Sequence, residues 1–348
     1  VYIRVAVFIK NLIEQEKDFK WQLVLPPWGN LYHWRSKHIG YQTQLPWSLF
    51  FDISSLQKYI PVIEICQFLQ ENNETHLDVV YILQNDEEMF RTGKFEDKNE
   101  IIECNDKSLQ FHKCVKFHGM TSDLKQNLKP NVYRSIMFDH MEIALHDFYG
   151  TKEYWKARRS MRYNSELYNI ANEYRKTFLN STNEHDKTER PDDWTKEKGI
   201  RNAVGGPYLS VHLRRRDFLV GRPSTVPTIQ SAASQLKNKL DELQLESLFV
   251  ATDATQEGKS YRNFLKRLMH GFISSDYVLS KFKDGGVAII DQIISSHARY
   301  FIGTYESTYT FRIQEDREII GFPTRTTFNY LCKGTEKCDS NGQWEIVW

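Results

Sequence analysis

The sequence predicts an α/β protein of two domains, and three observations predict it. From Tyr208 onward, short apolar runs alternate with amphipathic helical stretches across short turns. That is the pattern of a parallel sheet covered on both faces. In the first half, apolar runs at 61–65, 77–83 and 134–138 are separated by polar or helical stretches, as in a first α/β unit. Finally, 348 residues suffice for two cores.

Taken in order, residues 1–17 place Val1, Val5, Phe8, Leu12 and Ile13 at helical spacing. Residues 21–25 read as a strand stopped by Pro26 and Pro27. The loop that follows carries Trp28, Tyr32, His33 and Trp34, rings that either pack on the next element or wall a cleft. Residues 91–129, polar and irregular, read as an insertion. Thr151 caps one long helix whose stripe runs through Tyr154, Ala157, Met161, Tyr168, Ala171, Tyr174 and Phe178. Charged residues 183–204, interrupted by Pro191, read as a linker. The division is therefore 1–182, linker 183–204, 205–320, and a tail 321–348 that packs back on the first domain.

The second domain opens with a strand at 208–214, where Leu209, Val211 and Leu213 alternate with Tyr208, Ser210 and His212. A helix at 228–243 and a strand at 247–252 follow. Next come a helix near 256–269, a strand near 276–279, a helix at 287–297 after Gly285 and Gly286, and a strand at 299–303. A last helix begins near Ser307.

Net charge is +1, which gives no long-range field for nucleic acid or an anionic membrane. No apolar run approaches the roughly 18 residues needed to span a bilayer. The sequence opens at Val1 inside an apolar pattern and reads as trimmed, so it carries no information on targeting. Cys104 with Cys114, and Cys332 with Cys338, lie close together in polar stretches and read as local disulfides. Cys66 is then free and buried. No C-x-x-C occurs, which argues against zinc. Asn73 and Asn180 head N-glycosylation sequons, and together with the cysteines they favour the secretory pathway.

Ligands of open α/β sheets sit beyond the carboxyl ends of strands. Arg214 stands there, on the same strand face as His212, while Arg215 points the other way. A guanidinium fork suits a phosphate or diphosphate, although a solvated basic turn has the same composition. Thr304, Ser307 and Thr308 precede a helix from Tyr309, either as a plain N-cap or as amides aimed at an anion. Residues 251–253 lie on the same rim. Asp291 has apolar neighbours; it either faces solvent or meets donors such as a guanine edge. His212 is a base contact or a satisfied core residue. No Asp-x-Asp occurs, so positive charge for a diphosphate has to come from arginine and backbone N–H groups. Nor is there a G-x-G-x-x-G, Walker or G-x-S-x-G pattern.

The ordered set LVLPPWGNLYHW, GGPYLSVHLRRRDF, FVATDA, DGGVAIIDQ and ARYFIGTYESTYTFRI resembles the GDP-fucose protein O-fucosyltransferases. It is most similar to the branch acting on thrombospondin type 1 repeats. The likeness runs over nearly the whole chain, EYWKARRSM and the Cys332/Cys338 pair included. It implies a GT-B architecture, two Rossmann-like domains facing across a cleft. It further implies inverting transfer of L-fucose from GDP-β-L-fucose to a Ser or Thr hydroxyl of a folded repeat, in the endoplasmic reticulum lumen. No metal, cofactor or membrane span is expected, and the protein is expected to be a monomer. By the same likeness His212, Leu213 and Arg214 contact the donor, with Arg214 the catalytic leaving-group stabiliser. Asp291 reads the nucleoside, and Thr308 and Tyr309, beside Ser307, hold phosphate. Asp316 matches an acidic position of functional interest. The family's general base, a Glu in an Asn-Pro-x-Glu-Gly-Phe-Asn loop before the first helix, has no counterpart in these residues and is expected upstream of Val1. Two alternatives stay open: a non-catalytic folding factor that binds GDP-sugar and cysteine-rich repeats, and an enzyme acting on EGF-like repeats.

Overall fold

Apolar residues at three- and four-residue steps form helix α1 (Tyr2–Gln15), which buries Ala6, Val7 and Leu12. The structure is a computed structural model that describes all residues except 30, 35, 73–76, 105–110, 254–268, 271–275 and 335–341. The chain divides into two units, Val1–Pro27 with Ile53–Met161, and Trp28–Asp52 with Arg162–Trp348.

In the first unit, β1 (Leu23–Leu25) pairs in parallel with β2 (Val62–Glu64). A second sheet has the order β4-β5-β3-β6. Its strands are β3 (Val79–Gln84), β4 (Lys98–Ile102), β5 (His112–His118) and β6 (Ile136–Asp139). Only β4 runs antiparallel to its neighbour. Val79, Tyr81, Leu83, Val115 and Phe117 form its core. The stretch 91–129 is therefore no insertion. It supplies an edge strand and an interior strand. Its polarity misleads because β4 buries no residue fully and β5 buries only Cys114, Val115 and Phe117.

Cys104 and Cys114 are disulfide-bonded. Cys332 is disulfide-bonded as well, while its expected partner Cys338 lies outside the described residues. Cys66 is free but exposed, not buried, because its helix Ile65–Asn72 buries nothing. Asn73 lies outside the described residues. Asn180 is exposed and adopts the left-handed conformation at a helix end (φ 47°).

The expected long helix is two helices. In α2 (Lys152–Ser160) the Thr151 side chain accepts from the Tyr154 N–H. In α3 (Ser165–Leu179) the Asn164 side chain accepts from the Glu166 N–H. Between them the backbone turns outward to other partners: the Arg162 carbonyl accepts from the Asp52 N–H, and Tyr163 bridges Phe51. The unit boundary falls in this break.

The second unit is built on four parallel strands in the order β10-β7-β8-β9. They are β7 (Gly206–Leu213), β8 (Ser247–Thr252), β9 (Met269–His270) and β10 (Ala298–Ile302). Every residue of β7 except Pro207 is buried, as expected for an interior parallel strand. Helix α4 (Ile229–Leu243) packs Ala232, Leu236 and Leu240 on this sheet. Helix α5 (Asp276–Ser296) is interrupted at Lys283, whose φ is 58°, and α6 is Thr308–Ile320. The strand expected near 276–279 is helix, because Val278 and Phe282 bury a helical face there. The helix expected near 256–269 lies outside the described residues, apart from Met269, which is in β9.

Segment Trp28–Asp52 belongs to this unit through the break in α5. The Asp284 carboxylate accepts from the Ser36 N–H and the Gln42 side chain at 3.0 Å each. A Cβ on Gly285 would lie 2.8 Å from Trp34 and 2.9 Å from Phe50, so only glycine admits the loop this closely. Trp28, Trp47, Phe50 and Phe51 pack ring on ring. Residues 28–52 and 162–182 thus leave the first domain to which they were assigned.

Residues 183–204 are not a linker. Asp186, Thr188, Trp194 and Glu197 are buried, and Asp186 pairs with the buried Arg175 at 3.1 Å. The segment's two buried carboxylates, Asp186 and Glu197, are partnered inside the unit. The end of the tail, 342–348, lies on the second unit and not on the first domain as expected. Trp344 meets Phe311 and Phe328 edge-on, and the Ile346 N–H donates to Glu318.

Candidate active site

The chain order of the second sheet reverses at β7, which has β8 on one side and β10 on the other. A crevice opens at such a reversal, beyond the carboxyl ends of the two strands. Arg214 follows β7 there, and Thr304 to Ser307 follow β10. One hydroxyl joins them. Thr304 Oγ1 accepts from the Arg214 N–H at 2.9 Å and donates to the His212 carbonyl at 2.8 Å. The Thr304 N–H in turn donates to Thr310 Oγ1 at 3.0 Å, which also shares a hydrogen bond with His212 Nδ1 at 2.8 Å. A Cβ on Gly303 would lie 2.1 Å from the Thr310 side chain, so glycine is required for that contact.

The start of α6 is presented to this rim. Ser307 is its N-cap, is buried, and makes no side-chain capping bond. The first N–H groups of a helix have no partners within it, and they carry the positive end of the helix dipole. Thr308, the first helical residue, is exposed, and Tyr309 is half-buried. A guanidinium and a helix N-terminus are both groups whose chemistry suits an anion.

Arg214 is largely enclosed. Its Nη1 lies 2.8 Å from Asp253 Oδ2, and its Nη2 lies 2.6 Å from Asp217 Oδ1 and 3.2 Å from His33 Nδ1. Tyr32 donates to the other Asp217 oxygen at 3.4 Å. The aromatic loop therefore serves both of its expected ends: part packs inward, while Tyr32 and His33 reach the site. Burial, reinforced by the Arg214 cation, lowers the His33 pKa and keeps the ring neutral at pH 7.

Behind the arginine, His212 is buried and its pKa is lowered to about 3, first by burial and then by Arg214. Its ring lies 4.4 Å from that of Tyr309, whose hydroxyl donates to the Ala288 carbonyl at 2.8 Å. One turn further along α5 is Asp291. Its Oδ1 is buried without a hydrogen-bond partner among the described residues, and burial pushes its carboxyl well above the usual range. Tyr309 and Tyr174 both feel its charge. A buried carboxylate oxygen that lacks a donor is costly to the fold, and a ligand N–H edge would relieve it. Leu213, the last residue of β7, is buried.

Asp316 stands apart. It is buried midway along α6, where its charge acts on Arg162 and Arg190. Those two arginines also share Glu197 at 2.7 Å each. Sequence reasoning puts residue 253 on this rim and His33 in a loop that could wall a cleft, but gives neither a role; it leaves out Asp217, whose place three residues past Arg214 is a usable signal. Among the described residues, no group of three or more His, Cys, Asp or Glu is arranged to hold a metal ion. No described helix is long and apolar enough to cross a membrane.

Residues 1–320 match the family model for GDP-fucose protein O-fucosyltransferase. The chain is similar to the GDP-fucose protein O-fucosyltransferase 2 of Caenorhabditis elegans, 43% identical over 100% of this chain and 86% of that protein. The human protein of the same name is 41% identical over the same shares. The solved structure of POFUT1 in complex with GDP superposes with a TM-score of 0.60 at 14% identity, over 95% of this chain and 93% of that one. The complex with GDP-fucose gives 0.59 at 15% identity, over 95% and 93%. That likeness gives the GT-B fold class, in keeping with two α/β units. On the family match along 320 residues, and on identity above 40% across its whole length, the chain belongs to the GDP-fucose protein O-fucosyltransferases, a family of glycosyltransferases.

Proposed function

We propose that the protein is an inverting, metal-independent O-fucosyltransferase. It moves L-fucose from GDP-β-L-fucose to a Ser or Thr hydroxyl of a folded thrombospondin type 1 repeat in the endoplasmic reticulum lumen. The observation that carries this reading is the rim itself: Arg214 and the uncapped start of α6 are tied to the same residue, Thr304. In a single displacement the acceptor oxygen bonds to the anomeric carbon as the bond to GDP breaks and negative charge grows on the diphosphate. Arg214 and the amides of 308 and 309 oppose that charge from fixed positions, so no divalent ion is needed. The acceptor proton passes to a general base, a role no residue of this chain is given. His212 and Tyr309 wall the nucleoside, and Asp291 takes the guanine N1–H and N2–H. The disulfide Cys104–Cys114 and the two sequons support a lumenal setting.

The test is transfer of radiolabelled fucose to a panel of folded thrombospondin repeats, EGF-like repeats and free glycans, with and without EDTA. Label on thrombospondin repeats alone, unchanged by EDTA, is the expected result. Label on EGF-like repeats alone moves the acceptor assignment, and loss of transfer in EDTA ends the metal-independent reading.

A further inference from the structure

The guanidinium of Arg214 is held by two carboxylates of different kinds. Asp253 follows Thr252, which pairs with Leu213 in the parallel register of β7 and β8. Arg214 and Asp253 are therefore the next residues on two paired strand ends. Thr252 Oγ1 donates to the Leu213 carbonyl at 2.7 Å, which fastens those ends together. Asp253 Oδ1 accepts from the Arg215 N–H at 2.7 Å, while its buried Oδ2 is ion-paired with Arg214 Nη1 at 2.8 Å without hydrogen-bond geometry. Only 17% of its side chain is exposed. Asp217 lies on the short helix Arg216–Gly221, and 43% of its side chain is exposed. It meets the other guanidinium edge, at Nη2.

We propose that Asp253 is the positioning residue for Arg214, and that Asp217 competes with the donor diphosphate for the Nη2 edge. The proposal rests on the reading of Arg214 as the diphosphate ligand. A guanidinium offers its donors in a rigid fork. With Nη1 fixed by Asp253, the Nη2 edge is turned to the rim, and a diphosphate oxygen that takes it must displace Asp217. An exposed ion pair is weak, so displacement costs little. The two carboxylates carry the same charge and lie near the same cation, yet they act on donor binding with opposite sign. Charge alone cannot produce that result. Neutralising either carboxylate leaves the site around Arg214 with more net positive charge, so simple electrostatics predicts tighter binding of GDP in both cases.

The experiment measures GDP affinity by calorimetry, and kcat and KM for GDP-fucose, in the full chain and in Asp217→Asn, Asp253→Asn, Asp253→Glu and Arg214→Ala. Asp217→Asn is expected to tighten GDP by about two- to fivefold, the size of one exposed pair. Asp253→Asn is expected to weaken GDP by about tenfold or more and to lower kcat as well. Asp253→Glu should recover part of both losses, which a fault of folding would not. If both Asn variants tighten GDP, or if Asp217→Asn weakens it, the proposal is overturned. Should Asp253→Asn fail to fold, Asp253→Glu takes its place: with the charge kept and the carboxylate displaced, weaker GDP binding and lower kcat support the positioning role, and unchanged or tighter binding overturns it. Arg214→Ala separates the two levels: unchanged GDP affinity there removes the diphosphate reading itself. Lost affinity there, with both Asn variants shifted the same way, removes only the division of labour between the carboxylates.

Discussion

Two arginines of the second unit show how one side chain serves opposite ends. Arg317 is fully buried. Its donors reach the carbonyls of Ser296, Ala298 and Thr326 and the hydroxyls of Thr326 and Thr327. The Phe322 ring covers it at 3.8 Å. Burial lowers its pKa to about 9, so it remains charged at neutral pH. These contacts of Arg317 join α5, β10, α6 and the turn after them. Arg214 has the reverse arrangement. One edge is ion-paired with Asp253, the other meets an exposed carboxylate and a histidine, and the Phe218 ring lies 5.5 Å from the guanidinium. A buried arginine whose fork is filled by backbone oxygens holds a fold. An arginine at a strand end, with one edge against an exposed carboxylate, is the arrangement on which the proposed diphosphate role rests.

The largest effect is expected where the fold depends on the cation. Arg317→Met would leave three buried carbonyls without their donor and cost about 3–5 kcal/mol in a urea melt. A loss below about 1 kcal/mol would break the contrast. Next in size, Arg214→Ala should lower turnover by roughly 10²-fold, about 3 kcal/mol, with the melting temperature nearly unchanged. Retention of more than a tenth of wild-type turnover would count against its role.

The third effect lies in pH. In the folded chain the His212 pKa is about 3, against 6.5 for a free ring. Below pH 6.5 the unfolded chain binds a proton that the folded chain refuses, so stability falls as pH drops from 6.5 towards 3. By pH 5 the loss from this residue is about 2 kcal/mol. Because Arg214 adds to that refusal, Arg214→Ala should reduce the acid sensitivity; an unchanged pH profile would separate the two residues. The smallest contrast concerns Asp291. GDP should bind with release of a proton, read as a buffer-dependent heat, and Asp291→Asn should abolish that release.

Much of the second unit was legible because β7 is buried on both faces and α4 carries a full apolar stripe. Arg214, His212 and the start of α6 could be placed on one rim from strand period alone. What escaped had physical causes. The apolar stripe from Tyr154 to Phe178 continues through Met161, so nothing in its spacing marked the break at Arg162. The pairing of Arg214 with Asp253 follows from the register of β7 on β8, which neither segment encodes by itself. Strands β4 and β5 hid in polar sequence because one is an edge. Residues 183–204 looked solvated because Arg175, the partner of Asp186, lies in the preceding helix.

Thr304 has a consequence for redesign. Its single hydroxyl spans from the His212 carbonyl to the Arg214 amide, so the gap between the strand end that carries the arginine and the turn before the helix is gauged by one short side chain against two backbone groups. Fitting a shorter or longer phosphate chain between them means resetting that spacer first, and enlarging the pocket around the base would leave it untouched.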